Sequence, residues 1–139
     1  DFYNNYLYEI VSGEVINIVF IYETSAKINP LNFLIDIRIK DENGFQISEI
    51  SAGAGGEKLI KFSEFKKNGE IKLSLNPLML RAGTYYLDVY ASVRLNKRIP
   101  LDYIPNVISF TVSRGDYWKV GNLNSKNSYV LMDYLIENN

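Results

Sequence analysis

From Gly83 to Arg94 the chain alternates, with Tyr85, Leu87, Val89, Ala91 and Val93 on one side of an extended segment and Tyr86, Asp88, Tyr90, Ser92 and Arg94 on the other. Successive side chains of a strand point to opposite faces, so the first set predicts a core-facing surface and the second an aromatic, charged outer one. Asn32 to Lys40 repeats the pattern, with Phe33, Ile35, Ile37 and Ile39 inward and Leu34, Asp36, Arg38 and Lys40 outward. This segment follows the breaker Asn29-Pro30 and runs into Asp41-Glu42-Asn43-Gly44. The Asn-Gly pair readily supplies positive φ, which makes Phe45 to Ile50 a hairpin partner.

Val15 to Tyr22, after the turn Ser12-Gly13-Glu14, and Glu70 to Leu75, ended by Asn76-Pro77, read as further strands. Ser51 to Gly56 is a small flexible loop, and Leu59 to Phe65 is a short run of ambiguous type. Beyond Asn96-Lys97-Arg98, Pro100 and Pro105 punctuate a stretch leading to a strand from Val107 to Val112, with Ile108, Phe110 and Val112 on one face. Tyr129 to Ile136 is apolar and set apart by the polar link Asn122 to Ser128; it is predicted as a strand or a short helix. About seven or eight short strands with turn signals between them predict an all-β fold, a two-sheet antiparallel sandwich.

Composition sharpens this picture. The 139 residues suit one domain, 1–139, and the 11 Tyr and 7 Phe against one Trp favour strands. Lys plus Arg number 15 against 16 for Asp plus Glu, so no broad positive field exists to hold a nucleic-acid backbone. With no cysteine there are no disulfides, thiolate ligands or thiol nucleophile, and with no histidine the commonest general base and metal ligand are missing. Enzymatic function is disfavoured, and no metal or other cofactor is expected. No apolar stretch approaches the roughly 20 residues of a membrane helix. The opening Asp1-Phe2-Tyr3-Asn4-Asn5 resembles neither a signal peptide nor a natural start, and is read as the edge of a fragment.

If the Asn32, Gly83 and Val107 strands share a sheet, their outer face collects Asp36, Arg38, Lys40, Tyr86, Asp88, Tyr90, Ser92, Arg94, Ser109 and Thr111. Tyrosine rings stack on the C–H faces of a pyranose, and charged groups hold hydroxyls through hydrogen bonds worth about 1.5 to 3 kcal/mol each. Asp36, Arg38, Tyr86, Asp88, Tyr90, Ser92 and Arg94 are therefore the candidate carbohydrate contacts, and Arg38 with Arg94 would suit a carboxylate or phosphate. The competing reading is a solvated face with cross-strand ion pairs such as Asp88 with Arg38.

Other motifs carry less. Ser51-Ala-Gly-Ala-Gly-Gly-Glu-Lys58 lacks the Gly-Lys-Ser/Thr opening a helix that a phosphate-binding loop needs, and reads as a turn that borders a glycan site at most. Trp118 with Tyr117 reads either as a buried corner or as a stacking platform at the sheet rim. Asp36 and Asp88 on an open face lack the desolvated cleft of a glycosidase pair, and Asp41, Glu42 and Asn43 lack the spacing of a calcium loop.

Four segments in order resemble the Wzt-type carbohydrate-binding domain. They are Ser12-Gly13-Glu14 before an apolar strand, Asp36 to Gly44, the Leu80 to Val93 strand opening with Gly83-Thr84-Tyr85, and Ile108-Ser-Phe-Thr-Val112 followed by Gly115-Asp-Tyr-Trp118. The resemblance spans roughly Tyr6 to Gly121; Ala82 stands where a proline commonly precedes the glycine, and Ser48-Glu49-Ile50-Ser51 replaces a segment of Gly-Asn-Thr type. It implies an immunoglobulin-like sandwich at the carboxyl end of the ATPase subunit of an ABC transporter that exports O-antigen polysaccharide, a component of lipopolysaccharide. It also implies binding of the modified non-reducing glycan terminus, partnership with nucleotide-binding and membrane subunits, and a cytoplasmic place at the inner membrane. A homodimer formed by exchange of a carboxyl-terminal strand is implied as well, with 122–139 acting as linker plus exchanged strand. The alternatives are an immunoglobulin-like protein–protein interaction module and, behind it, a hydrolase accessory domain.

Overall fold

The computed structural model describes residues 9–25, 27–60 and 66–138. The opening of the chain and most of the ambiguous run at 59–65 lie outside the described residues. Among the described residues seven strands occur: β1 (Glu9–Val11), β2 (Ile16–Glu23), β3 (Phe33–Asp41), β4 (Gln46–Gly53), β5 (Asn68–Leu75), β6 (Gly83–Arg94) and β7 (Arg98–Ser113). They form a five-stranded sheet, β1-β7-β6-β3-β4, and a two-stranded sheet, β2-β5. The protein is all-β, an immunoglobulin-like two-sheet sandwich that is mostly antiparallel. β3 pairs antiparallel with β4 and β6, while the short β1 runs parallel to β7.

The chain divides into two compact units. One comprises Ile18–Leu73 and Tyr85–Ser109. Its core is the inward set of β3 and β6: Phe33, Ile35, Ile37, Ile39, Tyr85, Leu87 and Val89 are all buried. Leu34 and Asp36, on the opposite side of β3, are buried as well; β3 lies between β6 and β4 in the sheet. The β3–β4 turn has the chemistry its sequence predicts. Asp41 Oδ1 accepts the N–H groups of Asn43 and Phe45, each at 2.9 Å, and Gly44 takes the positive φ of 85°.

The other unit comprises Asp1–Asn17, Ser74–Thr84 and Phe110–Asn139. Leu78, Leu80, Phe110, Val112 and Leu131 are its buried apolar residues. Two buried polar side chains are satisfied there, as burial of such groups requires. Ser12 Oγ donates to the Leu80 carbonyl at 2.5 Å and accepts from Asn124 Nδ2 at 3.3 Å, and Asn124 Oδ1 accepts from the Tyr117 N–H at 3.0 Å.

Three expectations are corrected. The proline-punctuated stretch before Val107 is part of one continuous strand from Arg98 to Ser113. On one side β7 is paired by β1 only at Thr111 to Ser113, so along the rest of that edge, among the described residues, a proline has no ladder partner to lose. Asn106 absorbs the local distortion at φ 49°, a conformation Asn tolerates better than most residues. Ile108, expected inside with Phe110 and Val112, is 42% exposed. Tyr129 to Ile136 forms neither strand nor helix: Val130 makes a single bridge to Leu80, and the residues beyond Leu131 are exposed.

Candidate functional site

Register brings the predicted outer residues together. Leu34 stands opposite Ser92, Asp36 opposite Tyr90, Arg38 opposite Asp88 and Lys40 opposite Tyr86. On the other flank of β3, Asp36 faces Ser51 and Arg38 faces Glu49. Directly paired residues share a face, so one side of the sheet carries all of these, and strand alternation adds Arg94 to them.

That face is not an open solvated surface. Asp36, Asp88 and Ser92, expected to project outward as ligand contacts, are 3%, 4% and 0% exposed. Asp36 and Ser92 lie under Arg98, whose guanidinium pairs with the Asp36 carboxylate, donates from Nε to Ser92 Oγ at 3.0 Å and lies 4.3 Å over the Tyr90 ring. Asp88 is held by Lys40 Nζ at 2.9 Å and accepts the Asn106 N–H at 2.8 Å. These three polar side chains are thus internal supports of the face. Arg38, half-buried, reaches Glu49 at 3.5 Å and not the Asp88 directly across from it, because Lys40 takes that carboxylate diagonally. The Arg38–Glu49 pair, with both side chains about two-fifths exposed, contributes at most about 1 kcal/mol.

The two tyrosines differ from expectation in one respect. Tyr86 and Tyr90 are both half-buried, and one face of Tyr90 is occupied by the Arg98 guanidinium. Tyr103 on β7 packs its ring 5.9 Å from that of Tyr90 and is itself 50% exposed, which makes it the ring of this pair available for stacking.

Beside this layer lies a groove of ≈ 660 Å³. One wall is the turn after β4, with Gly55, Gly56 and Glu57; the other is the β6–β7 hairpin, with Arg94, Asn96, Lys97 and Arg98. Leu34, Asp36, Glu49 and Ser51 complete its lining. Of the sequence-derived candidates Asp36 and Arg94 line this groove; Arg38, Tyr86, Asp88, Tyr90 and Ser92 do not. Asn96, Lys97, Arg98, Glu49, Ser51 and Glu57 were not among the candidates. Three cations within five residues of a hairpin, at Arg94, Lys97 and Arg98, were the available signal.

The glycine-rich loop is ordered by its own backbone. Gly53 N–H donates to Lys58 O at 2.7 Å, Gly56 N–H to Gly53 O at 3.0 Å and Glu57 N–H to Ser51 O at 2.8 Å. Those donors close the turn on itself and do not converge on a phosphate. Gly55 sits at φ 75°, and a Cβ there would overlap the Arg94 guanidinium, so its lack of a side chain leaves room for that guanidinium against the turn.

In the other unit Trp118 packs against Tyr117 at 5.2 Å and Tyr134 at 5.5 Å. It is half-buried, and its indole Nε1 is buried with no hydrogen-bond partner among the described residues.

A family model described as "Wzt C-terminal domain" matches residues 3–124. A solved structure titled "Crystal structure of the C-terminal domain of wzt" aligns with a TM-score of 0.64 at 15% sequence identity, covering 94% of this chain and 74% of that one. At that identity the likeness shows the fold. No curated protein matches the chain significantly.

Proposed function

Since the chain belongs to the Wzt C-terminal domain family, we propose that it is a non-catalytic carbohydrate-binding module that recognises the modified non-reducing end of an O-antigen polysaccharide and so couples chain completion to ABC-transporter export. The observation that carries this reading is the polar groove beside the Arg98-supported sheet face. Its lining mixes donors (Arg94, Asn96, Lys97), acceptors (Glu49, Glu57) and a hydroxyl (Ser51), the set that a polyol with many O–H groups needs. Tyr103 adds an exposed ring for stacking. In this reading Arg94 contacts the glycan in the groove, Arg38, Tyr86 and Tyr90 meet it where it extends over the sheet face outside the groove, and Asp36, Asp88 and Ser92 support that face. Asp36 is engaged by Arg98, and Asp88 by Lys40 and the Asn106 N–H, an arrangement that suits support better than hydrolysis.

The same reading makes 1–139 one binding domain, working in the cytoplasm beside the nucleotide-binding and membrane subunits. Among the described residues no helix is long and apolar enough to cross a membrane. It also has the segment after Leu131 exchanged in a homodimer; what supports this is the exposure of Met132, Leu135 and Ile136 at 71%, 79% and 84%.

The test is a panel of polysaccharides differing only at the non-reducing end. The reading expects one end modification to bind, with binding lost in Arg94→Ala and Tyr103→Ala while the thermal melt is retained. Absence of binding to every member favours the interaction-module alternative.

A further inference from the structure

Resting on the carbohydrate reading above, we propose that the groove selects a saccharide carrying an anionic substituent, a carboxylate or a phosphate ester, which Arg94 and Lys97 hold at the β6–β7 hairpin. The argument is a charge inventory of the lining. Asp36 is paired with Arg98, and Glu49 with Arg38. The Arg94 guanidinium and the Lys97 ammonium have no ion-pair or hydrogen-bond partner among the described residues, and the two residues stand close together in sequence, at the end of β6 and in the turn that follows. Across the groove the Glu57 carboxylate, on the glycine-rich turn, likewise has no partner among the described residues.

The two cations differ from ordinary surface charges in one respect. Arg94 is located without being neutralised: its guanidinium occupies the space that a side chain at position 55 would fill, against a turn fixed by its own hydrogen bonds. A guanidinium fork in this place offers two parallel N–H donors to the two oxygens of an oxyanion, and the Lys97 ammonium adds a second positive charge. A neutral sugar leaves both charges uncompensated; an acidic one offsets them and leaves Glu57 to accept its hydroxyl hydrogens. The groove therefore discriminates by charge at the hairpin and by hydroxyl pattern at the turn.

The experiment is calorimetric titration of the whole chain with three oligosaccharides of one backbone, ending in an unmodified hexose, a hexuronic acid or a hexose phosphate. At least one charged end is expected to bind about tenfold or more tightly than the neutral end, the equivalent of one charge-assisted hydrogen bond. That advantage should shrink as salt rises from about 50 to about 500 mM, and which charged end prevails separates carboxylate from phosphate. Arg94→Gln and Lys97→Gln should each remove most of the advantage with the melting temperature unchanged, whereas Lys119→Gln, an exposed lysine of the other unit, should not. Equal binding of neutral and charged ends, unaffected by Arg94→Gln, overturns the charge selection and leaves the carbohydrate reading standing. If none of the three binds and the polysaccharide panel is also silent, the carbohydrate reading falls and this inference with it.

Discussion

The Arg98 guanidinium of β7 lies 4.3 Å over the ring of Tyr90 on β6 while pairing with Asp36 on β3, one strand further across the sheet. One side chain thereby ties β7 to the floor of the groove and fixes an aromatic ring on the same face. The Asp36 side chain is 5% exposed and that of Arg98 41%, so solvent screens one partner and not the other.

Removing one partner of this pair should cost more than removing both. Arg98→Ala leaves a buried carboxylate without its cation and is expected to destabilise by about 1–3 kcal/mol, less than a fully buried pair because Arg98 is part exposed. Asp36→Asn combined with Arg98→Ala should recover part of that loss. Urea denaturation of the four proteins measures the coupling; additivity within about 0.3 kcal/mol would show that the pair contributes nothing as a pair.

Gly55→Ala separates backbone strain from ligand geometry. At φ 75° an alanine costs about 1–2 kcal/mol, and its Cβ displaces the flexible end of Arg94. Gly44→Ala carries the same strain at φ 85° with nothing within 4 Å of the added atom. The two variants should melt at similar temperatures, while only Gly55→Ala loses glycan affinity by several-fold. Equal affinities would show that the position of Arg94 is immaterial.

How much of this was legible in the sequence varies by element. The β3 and β6 alternation placed Phe33, Ile35, Ile37, Ile39, Tyr85, Leu87 and Val89 in the core because a period of two assigns faces directly. The same period says nothing about what covers a face. Burial of Asp36, Asp88 and Ser92 depends on contacts from β7, and the Asp36–Arg98 pair spans 62 positions of sequence. Arg98 itself stands between the two strands that the pattern predicts, where no alternation aims its side chain. Prolines at 100 and 105 hid the strand because their cost depends on whether the edge is paired, which local pattern does not reveal. In the groove, Arg94 was found through alternation, whereas Lys97 and Glu57 sit in turns, where no periodicity aims a side chain.

The carboxyl-terminal segment has a measurable role of its own. Leu131 is 2% exposed, its N–H donates to Met79 O at 2.8 Å, and Arg81 donates from Nε to Val130 O at 3.1 Å and from Nη1 to Ser125 O at 3.0 Å. Leu131→Ala should cost about 2–5 kcal/mol. Deleting residues 129–139 should destabilise the protein or, where the segment is exchanged between copies, halve the mass seen by light scattering. Unchanged mass and unchanged melting together would remove both roles.

The central claim is that a saccharide seats between the glycine-rich turn and the β6–β7 hairpin. Titration of ¹⁵N-labelled protein with an end-modified O-antigen oligosaccharide, followed by amide chemical shifts, tests it most directly. The account predicts saturable shifts at Gly55, Gly56, Asn96 and Lys97, together with the Arg94 Nε–H signal. Saturable shifts confined to residues remote from that groove, or none with any oligosaccharide, would contradict it.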